Sequence, residues 1–232
     1  MARMSFAGTH DQSSCVTVDR RTGPDGEVVL RRRGERYEII ANGCFLMDTS
    51  DGRSERLLVN AALDALLPSV ARPSVLIGGL GVGFSLAEAV AEPRWGRIVI
   101  VEREPAVIDW HRTGELAQFT KEAWDDPRTQ LVQADLVHHI TTCQDRHHAL
   151  CLDIDNGPDW TVTEANAGLY DDAGLATLRA RLHPGGVLAV WGAQHSAAFE
   201  ERLRGHFTDV RTLRVPVPRG EPDVIHLAHR NA

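Results

Sequence analysis

A chain of 232 residues with 43% hydrophobic residues can bury a substantial core without disulfide or metal staples. Its formal net charge of −7 argues against nucleic acid as the main partner, because duplex binding wants a basic face. Cys15, Cys44, Cys143 and Cys151 form no Cys-x-x-Cys pair, no apolar stretch nears membrane-spanning length, and the N-terminus lacks a leader-like apolar region. A cytoplasmic protein with reduced thiols and no membrane partner is expected.

Up to about residue 52, short alternating segments are broken by turn chemistry. Cys15-Val-Thr-Val-Asp-Arg20 and Glu27-Val-Val-Leu-Arg31 flank Thr22-Gly-Pro-Asp-Gly26, which predicts a β-hairpin. Tyr37–Ala41 and Cys44–Met47 around Asn42-Gly43 predict a second. The run Arg31-Arg32-Arg33 falls inside a strand-like segment and reads as a solvated face. From Ser54 the period becomes helical, with Leu57, Leu58, Ala61, Ala62, Ala65 and Leu66 on one face until Pro68. The chain is therefore divided into a β-hairpin cap, residues 1–52, and a nucleotide-binding domain, residues 53–232.

The second part alternates strand and helix. Ser74-Val-Leu-Ile-Gly-Gly-Leu-Gly-Val-Gly83 is an apolar strand running into a glycine-rich turn. A helix over 84–90 and a strand over 97–102 follow, and Pro105 opens a helix carrying Val107, Ile108 and Trp110. Gln130–Gln133 is a short strand ending in Ala134-Asp135, and Ala149–Ile154 is another. A helix is predicted from Thr163 or Glu164 through Leu182, terminated by His183-Pro-Gly-Gly186. Val187–Trp191 is a strand, Ala197–His206 a helix, and Val210–Val217 with Val224–His229 a closing hairpin. The order predicts an α/β fold: a Rossmann-like, doubly wound, mostly parallel seven-stranded sheet with an antiparallel C-terminal hairpin and a small N-terminal β region.

Chemistry concentrates at the strand ends. Gly79, Gly81 and Gly83 let the backbone turn sharply and approach a ligand where a Cβ would collide. Glu102 lies 24 residues beyond Gly78, near the spacing of about 20 at which an acid accepts ribose hydroxyls, so the ligand carries an adenosine. Asp153, Asp155 and Asp159 surround Gly157-Pro158 after the fourth strand. A carboxylate there can orient a nucleophile or take its proton, although Asp, Asn, Gly and Pro also simply build turns. Asp153 and Asp155 are the functional candidates and Asp159 the turn residue; Asn156 fits either role. His195 is a candidate base with a suitable unperturbed pKa, or a surface histidine. Trp160 and Trp191 are candidate walls of an aromatic or sulfonium pocket, or core. Tyr37 and Phe45 are candidate lids over the crevice, with core packing the alternative. Glu55 can contact substrate, though a helix's first turn already favours an acid. His138-His139 and His147-His148 are adjacent pairs whose side chains diverge, so no metal site is expected.

These residues resemble the spermidine synthase-like, or polyamine aminopropyltransferase-like, branch of the class I S-adenosylmethionine (AdoMet) transferase fold. The resemblance runs from about Tyr37 onward. It implies that Gly78, Gly79, Gly81 and Gly83 form the cofactor loop, that Glu102 with neighbouring Arg103 binds ribose, and that Asp135 with Leu136 meets adenine. It places Asp153-Ile-Asp-Asn-Gly-Pro158 where the family carries a catalytic Asp-Ser-Ser-Asp-Pro type loop, with Asp153 also touching the cofactor. The stretch Leu182-His-Pro-Gly-Gly-Val-Leu188 resembles the turn into the fifth strand of AdoMet methyltransferases. Tyr37, Glu55, Asn156, Trp160 and Trp191 are the substrate-side candidates. A nicotinamide cofactor would share the loop and the acid, but the loop at Asp153 and the closing hairpin suit the transferase fold better.

Two departures shape the functional expectation. The family usually carries an aspartate inside the glycine loop, where it faces the amine tail of decarboxylated AdoMet; this chain has Gly81. An acid there would repel the α-carboxylate of intact AdoMet at close range. Ile154 stands where a small polar residue is usual, and it supplies no carboxylate to a polyamine site. The leading expectation is therefore an AdoMet-dependent methyltransferase acting on a small-molecule acceptor, with Asp153 or Asp155 orienting the acceptor and His195 as a second base. The alternative is aminopropyl transfer from decarboxylated AdoMet to a polyamine. A third reading is a non-catalytic AdoMet- or nucleoside-binding protein. A homodimer is expected by analogy.

Overall fold

The structure, a computed structural model, describes residues 15–231. The leader expectation concerns residues outside that range. Among the described residues no helix is long and apolar enough to cross a membrane.

The two predicted hairpins join into one antiparallel sheet of four strands in chain order: β1 (Cys15–Gly23), β2 (Gly26–Arg33), β3 (Arg36–Ala41) and β4 (Cys44–Asp48). The central strands bury Val28, Leu30, Tyr37 and Ile39 on the inner face. Arg31 and Arg33 both grip Glu38 across the sheet, at 2.5 and 2.9 Å, so part of the basic run is paired within the sheet. Helix α1 (Arg53–Ala65) follows, with Leu58, Val59, Ala61, Ala62 and Leu63 buried.

The remaining strands, β5 (Ser74–Gly78), β6 (Arg97–Glu102), β7 (Thr129–Gln133), β8 (His147–Leu152), β9 (Leu182–Gly192), β10 (Thr208–Val215) and β11 (Asp223–His229), form a second sheet. Its spatial order is β10-β11-β9-β8-β5-β6-β7. Five strands run parallel, and the final pair is antiparallel, β11 against both β9 and β10. The parallel strands are apolar runs because both sheet faces are covered. One face packs α1 and α2 (Phe84–Ala91) together with the inner face of the first sheet in a single apolar cluster. The other packs α5 (Leu136–Thr142), α6 (Asp172–Ala180) and α7 (Ala197–His206).

The observed elements depart from the expected ones in several places. Two helices appear where none was expected, α4 (Ala117–Asp125), which follows α3 (Pro105–Arg112), and α5. Asp135 caps α5 by accepting from the His138 backbone N–H. The helix expected over 163–182 is a 3-10 turn, Glu164–Leu169, then α6. The break is enforced at residues 170–171, where Tyr170 is tied elsewhere and Asp171 caps the new helix by accepting from Gly174 N–H at 2.8 Å. The His183-Pro-Gly-Gly186 stretch does not terminate that helix but enters β9. Leu182 pairs with His147, and Arg230 exchanges backbone hydrogen bonds with Gly185 and Gly186. All five parallel strands end on the same side of the sheet, which places Gly78, Glu102, Asp135, Asp153 and Gly192 at or just beyond their carboxyl ends.

Candidate functional site

The glycine loop joins β5 to α2, and its conformation is forced by neighbours. Gly79 has φ +92, and a Cβ there would overlap the Asp153 carbonyl oxygen; Asp153 N–H in turn donates to Gly78 O at 3.0 Å. The first glycines are thus locked against the start of the acidic loop. Gly81 has φ +50, and a Cβ there would overlap the Met47 sulfur and stand 3.0 Å from its Cε. Its carbonyl oxygen accepts from His111 Nε2 at 2.9 Å, which fixes the tautomer of that buried ring and leaves Nδ1 to accept from Thr120 Oγ1. Burial pushes His111 down to about 4, so it stays neutral.

Glu102 closes the loop from β6. Its Oε2 accepts from Leu80 N–H at 2.9 Å and its Oε1 from Glu104 N–H at 2.8 Å. The backbone N–H groups of Arg103 and Gly81 also favour its charged form, so the loop amides converge on this carboxylate. Burial raises its pKa, against those backbone donors. Leu136 packs so close to Gly78 that a Cβ there would overlap its methyl carbons, so it floors this end of the crevice. Asp135 accepts from His138 N–H at 2.8 Å and lies 3.5 Å from Arg103 Nη1. A purine nucleoside fits this half: a glycine turn, an acid for the ribose and a carboxylate for an exocyclic amine, in that order along the strand ends.

The other half is acidic. Ser54 Oγ lies 2.9 Å from Glu55 Oε2 and 2.7 Å from Asp223 Oδ2, although a hydroxyl has one proton to donate. Ser85 Oγ lies 3.3 Å from both Asp153 Oδ2 and the Glu55 carbonyl oxygen. Burial, and then the like charges of Glu55 and Asp223, push Asp153 up to about 8. Glu55 and Asp223 are raised too, each chiefly by burial. Among the described residues no basic side chain hydrogen-bonds to Glu55 or Asp153. Three carboxyl groups crowded this way favour either a proton or a bound cation.

The other expected site residues are distributed differently. Asp155 does not face the crevice with a free carboxylate: it accepts from Val162 N–H at 2.6 Å, Asn166 Nδ2 at 2.9 Å and Tyr170 O–H at 2.8 Å. It staples the loop shut. Asn156 accepts from Ala193 N–H through its backbone, which joins the loop to the end of β9. His195 Nε2 pairs with Glu200 Oε1 at 3.0 Å, on the α7 side. Tyr37 is buried, donates to Glu115 and meets Phe119 edge-on, so it ties the first sheet to α4 rather than covering the acids. Phe45 is 55% exposed and Trp160 66% exposed, so neither walls a closed pocket. Trp191 packs against the α1-side core with its indole N–H buried and, among the described residues, unpartnered.

Sequence reasoning missed Ser54, Ser85, Met47, His111 and Asp223. Ser54 and Asp223 are 169 residues apart and carry no motif. Met47 had a weak signal, as the one long flexible apolar residue at the end of a predicted hairpin.

No protein-family model matches the chain. It is 30% identical over 182 residues to polyamine aminopropyltransferase 2 of Pseudomonas aeruginosa, across 74% of this chain and 49% of that protein. It is 29% identical over 177 residues to polyamine aminopropyltransferase 1 of Streptomyces coelicolor, across 75% of this chain and 30% of that one. The chain therefore spans half or less of these relatives' length. Among solved structures, spermidine synthase from Thermotoga maritima superposes with a TM-score of 0.73 at 16% identity, covering 93% of this chain and 73% of that chain. A spermidine synthase in complex with the transition state analogue AdoDATO gives 0.75 at 16% identity, with 93% and 74% covered.

These findings overturn the methyltransferase expectation. The relatives are named as aminopropyltransferases. Gly81 sits under Met47 on a left-handed backbone, which gives the glycine a packing reason independent of the donor's tail.

Proposed function

We propose that this chain, a spermidine synthase-like member of the class I methyltransferase-like fold, transfers an aminopropyl group from decarboxylated AdoMet to a primary amine of a small di- or polyamine. The observation that carries the reading is the crowd of Asp153, Glu55 and Asp223 beside the glycine loop. The positively charged amines of the two substrates would offset this crowd of carboxyls, whereas the α-carboxylate of intact AdoMet would be repelled by it.

In the reaction the acceptor nitrogen attacks the propyl carbon bonded to the sulfonium. The C–N bond forms as the C–S bond breaks, and the sulfur leaves as the neutral thioether 5′-methylthioadenosine. The proton lost by the nitrogen passes to Asp153, whose pKa of about 8 suits a base working near neutrality. Glu55 and Asp223, bridged by Ser54, hold the acceptor's charged end, and in-line placement supplies much of the acceleration. Glu102, Asp135 and the glycine loop hold the nucleoside. Asp155 acts by stapling the loop that follows Asp153, and His195 stands apart as a spare base.

Within this proposal residues 1–52 are a cap contributing Met47, and residues 53–232 the transferase domain. A homodimer is supported by the exposed Val16, Val18 and Phe45 of the first sheet, and light scattering measures it. Cytoplasmic location is supported by the free thiols of Cys15, Cys44, Cys143 and Cys151. Incubation with decarboxylated AdoMet and putrescine, followed by mass spectrometry, tests the reaction. An amine gaining one aminopropyl group, with release of 5′-methylthioadenosine, is expected; no product from any primary diamine would overturn it.

A further inference from the structure

Two adjacent residues at the end of α3 serve different sides of the molecule. His111 turns inward and donates to the Gly81 carbonyl at 2.9 Å, while Arg112 lines a surface pocket of about 350 Å³. The pocket is built from α3, α4 and β7, the last being the outermost strand of the second sheet. Arg112, Ala123, Trp124, Thr129 and Leu131 line it. Its size falls in the lower part of the range for small-molecule sites, roughly 300–1,000 Å³.

The lining combines one cation with an aromatic ring and apolar walls. Arg112 Cζ stands 5.7 Å from the centre of the Trp124 ring, farther than the 4.4 Å at which Arg56 sits on Phe84, so the guanidinium does not close over the indole. Among the described residues it forms no ion pair, although the chain carries 32 acidic residues against 25 Lys and Arg. Asp109 on the same helix is taken by Arg21 at 2.7 Å, and Asp126 just beyond α4 is taken by Arg128 at 2.6 Å. A cation in a helix's last turn is favourable by itself. The dipole does not account for the pocket beside it, nor for the ring held at its wall. Trp124 Nε1 donates to the His111 carbonyl at 3.0 Å, which fixes the half-buried indole by its edge.

We propose that this pocket binds a small aromatic monocarboxylate, its carboxylate paired with Arg112 and its ring against Trp124 and Leu131. A guanidinium matches a planar carboxylate through two parallel N–H groups, and a single cation among apolar walls suits one negative charge. The bound ring bears on the glycine loop through two hydrogen bonds, Trp124 to the His111 carbonyl and His111 Nε2 to the Gly81 carbonyl. The site goes beyond the reaction proposed above and does not depend on it, because none of its lining residues belongs to the glycine loop or to the crowd of acids.

The probe is benzoate, titrated into the ¹⁵N-labelled full chain beside its neutral counterpart benzamide. The indole N–H signal of Trp124, assigned with Trp124→Phe, should shift saturably with benzoate, and the Gly81 amide signal should move with it. Benzamide should bind wild type roughly tenfold more weakly, and Arg112→Gln should weaken benzoate by a similar factor, as loss of a charge-assisted contact does. Arg112 is exposed, so that variant should keep the wild-type melting temperature. No saturable shift at Trp124, equal affinity for benzamide, or wild-type affinity in Arg112→Gln would overturn the proposal and leave the donor reading intact. A Trp124 shift that leaves the Gly81 amide unmoved would overturn the link to the loop.

Discussion

The Met47 thioether lies directly over Gly81, so the first sheet reaches across to shape the loop that would receive the donor. A side chain at residue 81 meets two obstacles at once, the sulfur above it and a φ of +50. Gly81→Asp is expected to destabilise the chain by more than about 1 kcal/mol, the size of a backbone mismatch alone. Met47→Ala opens the space, so the double variant should lose about 0.5–3 kcal/mol less than the two single losses combined. Urea midpoints measure all three, and strict additivity would separate the two residues.

Asp153 links stability to pH with a definite sign. Its carboxyl moves from 3.8 to about 8 on folding, so the folded state prefers the protonated form. That contribution is full below about 3.8 and is lost as pH rises towards 8 and beyond. The melting temperature should therefore fall between pH 4 and pH 9 more steeply in wild type than in Asp153→Asn. The same variant should lower kcat by about 10²–10⁴, the usual range for a lost general base. Parallel melting curves would show that Asp153 is not the titrating group.

Glu55 raises Asp153 through like charge. Glu55→Gln should lower the Asp153 pKa and move the rising limb of kcat/KM to lower pH. It should also raise KM for the diamine, because one of the carboxylates facing the ammonium is gone. A pH–rate series with wild type and variant checks both, and an unmoved limb counts against the pair.

Asp155 is predicted to matter through the loop and not through chemistry. Asp155→Ala strands the buried Tyr170 O–H and Asn166 amide and releases the Val162 N–H of an exposed residue. A loss of about 1–3 kcal/mol for each group left unsatisfied is the scale, so thermal unfolding should drop sharply. Nucleoside affinity at a temperature where the variant is folded should change little, since none of those partners lines the glycine loop.

What the chain order alone revealed is instructive at particular residues. Ser74–Gly83 and Arg97–Glu102 announced the first strand, the turn and the ribose acid, because a parallel strand covered on both faces reads as an unbroken apolar run. Helix α5 was hidden because Asp135 looked like a ligand, and its capping role left Leu136 and Ile140 as too few apolar positions to show a period. Asp155 read as catalytic because a free carboxylate and one held by three donors are the same letter. At Gly81 the sequence alone points to the donor's tail, because the residue that covers it comes from another sheet.

Local pattern determined the α/β class, the glycine turn and the acids at the strand ends, since propensity, period and turn chemistry act over a few residues. Tertiary structure alone decided which acids converge. Ser54 and Asp223 meet across 169 residues, Asp25 reaches Arg103, and Met47 settles on Gly81. The physical reason is that a carboxylate's chemistry is set by burial and by the charges folded next to it, and neither is a property of its neighbours in sequence.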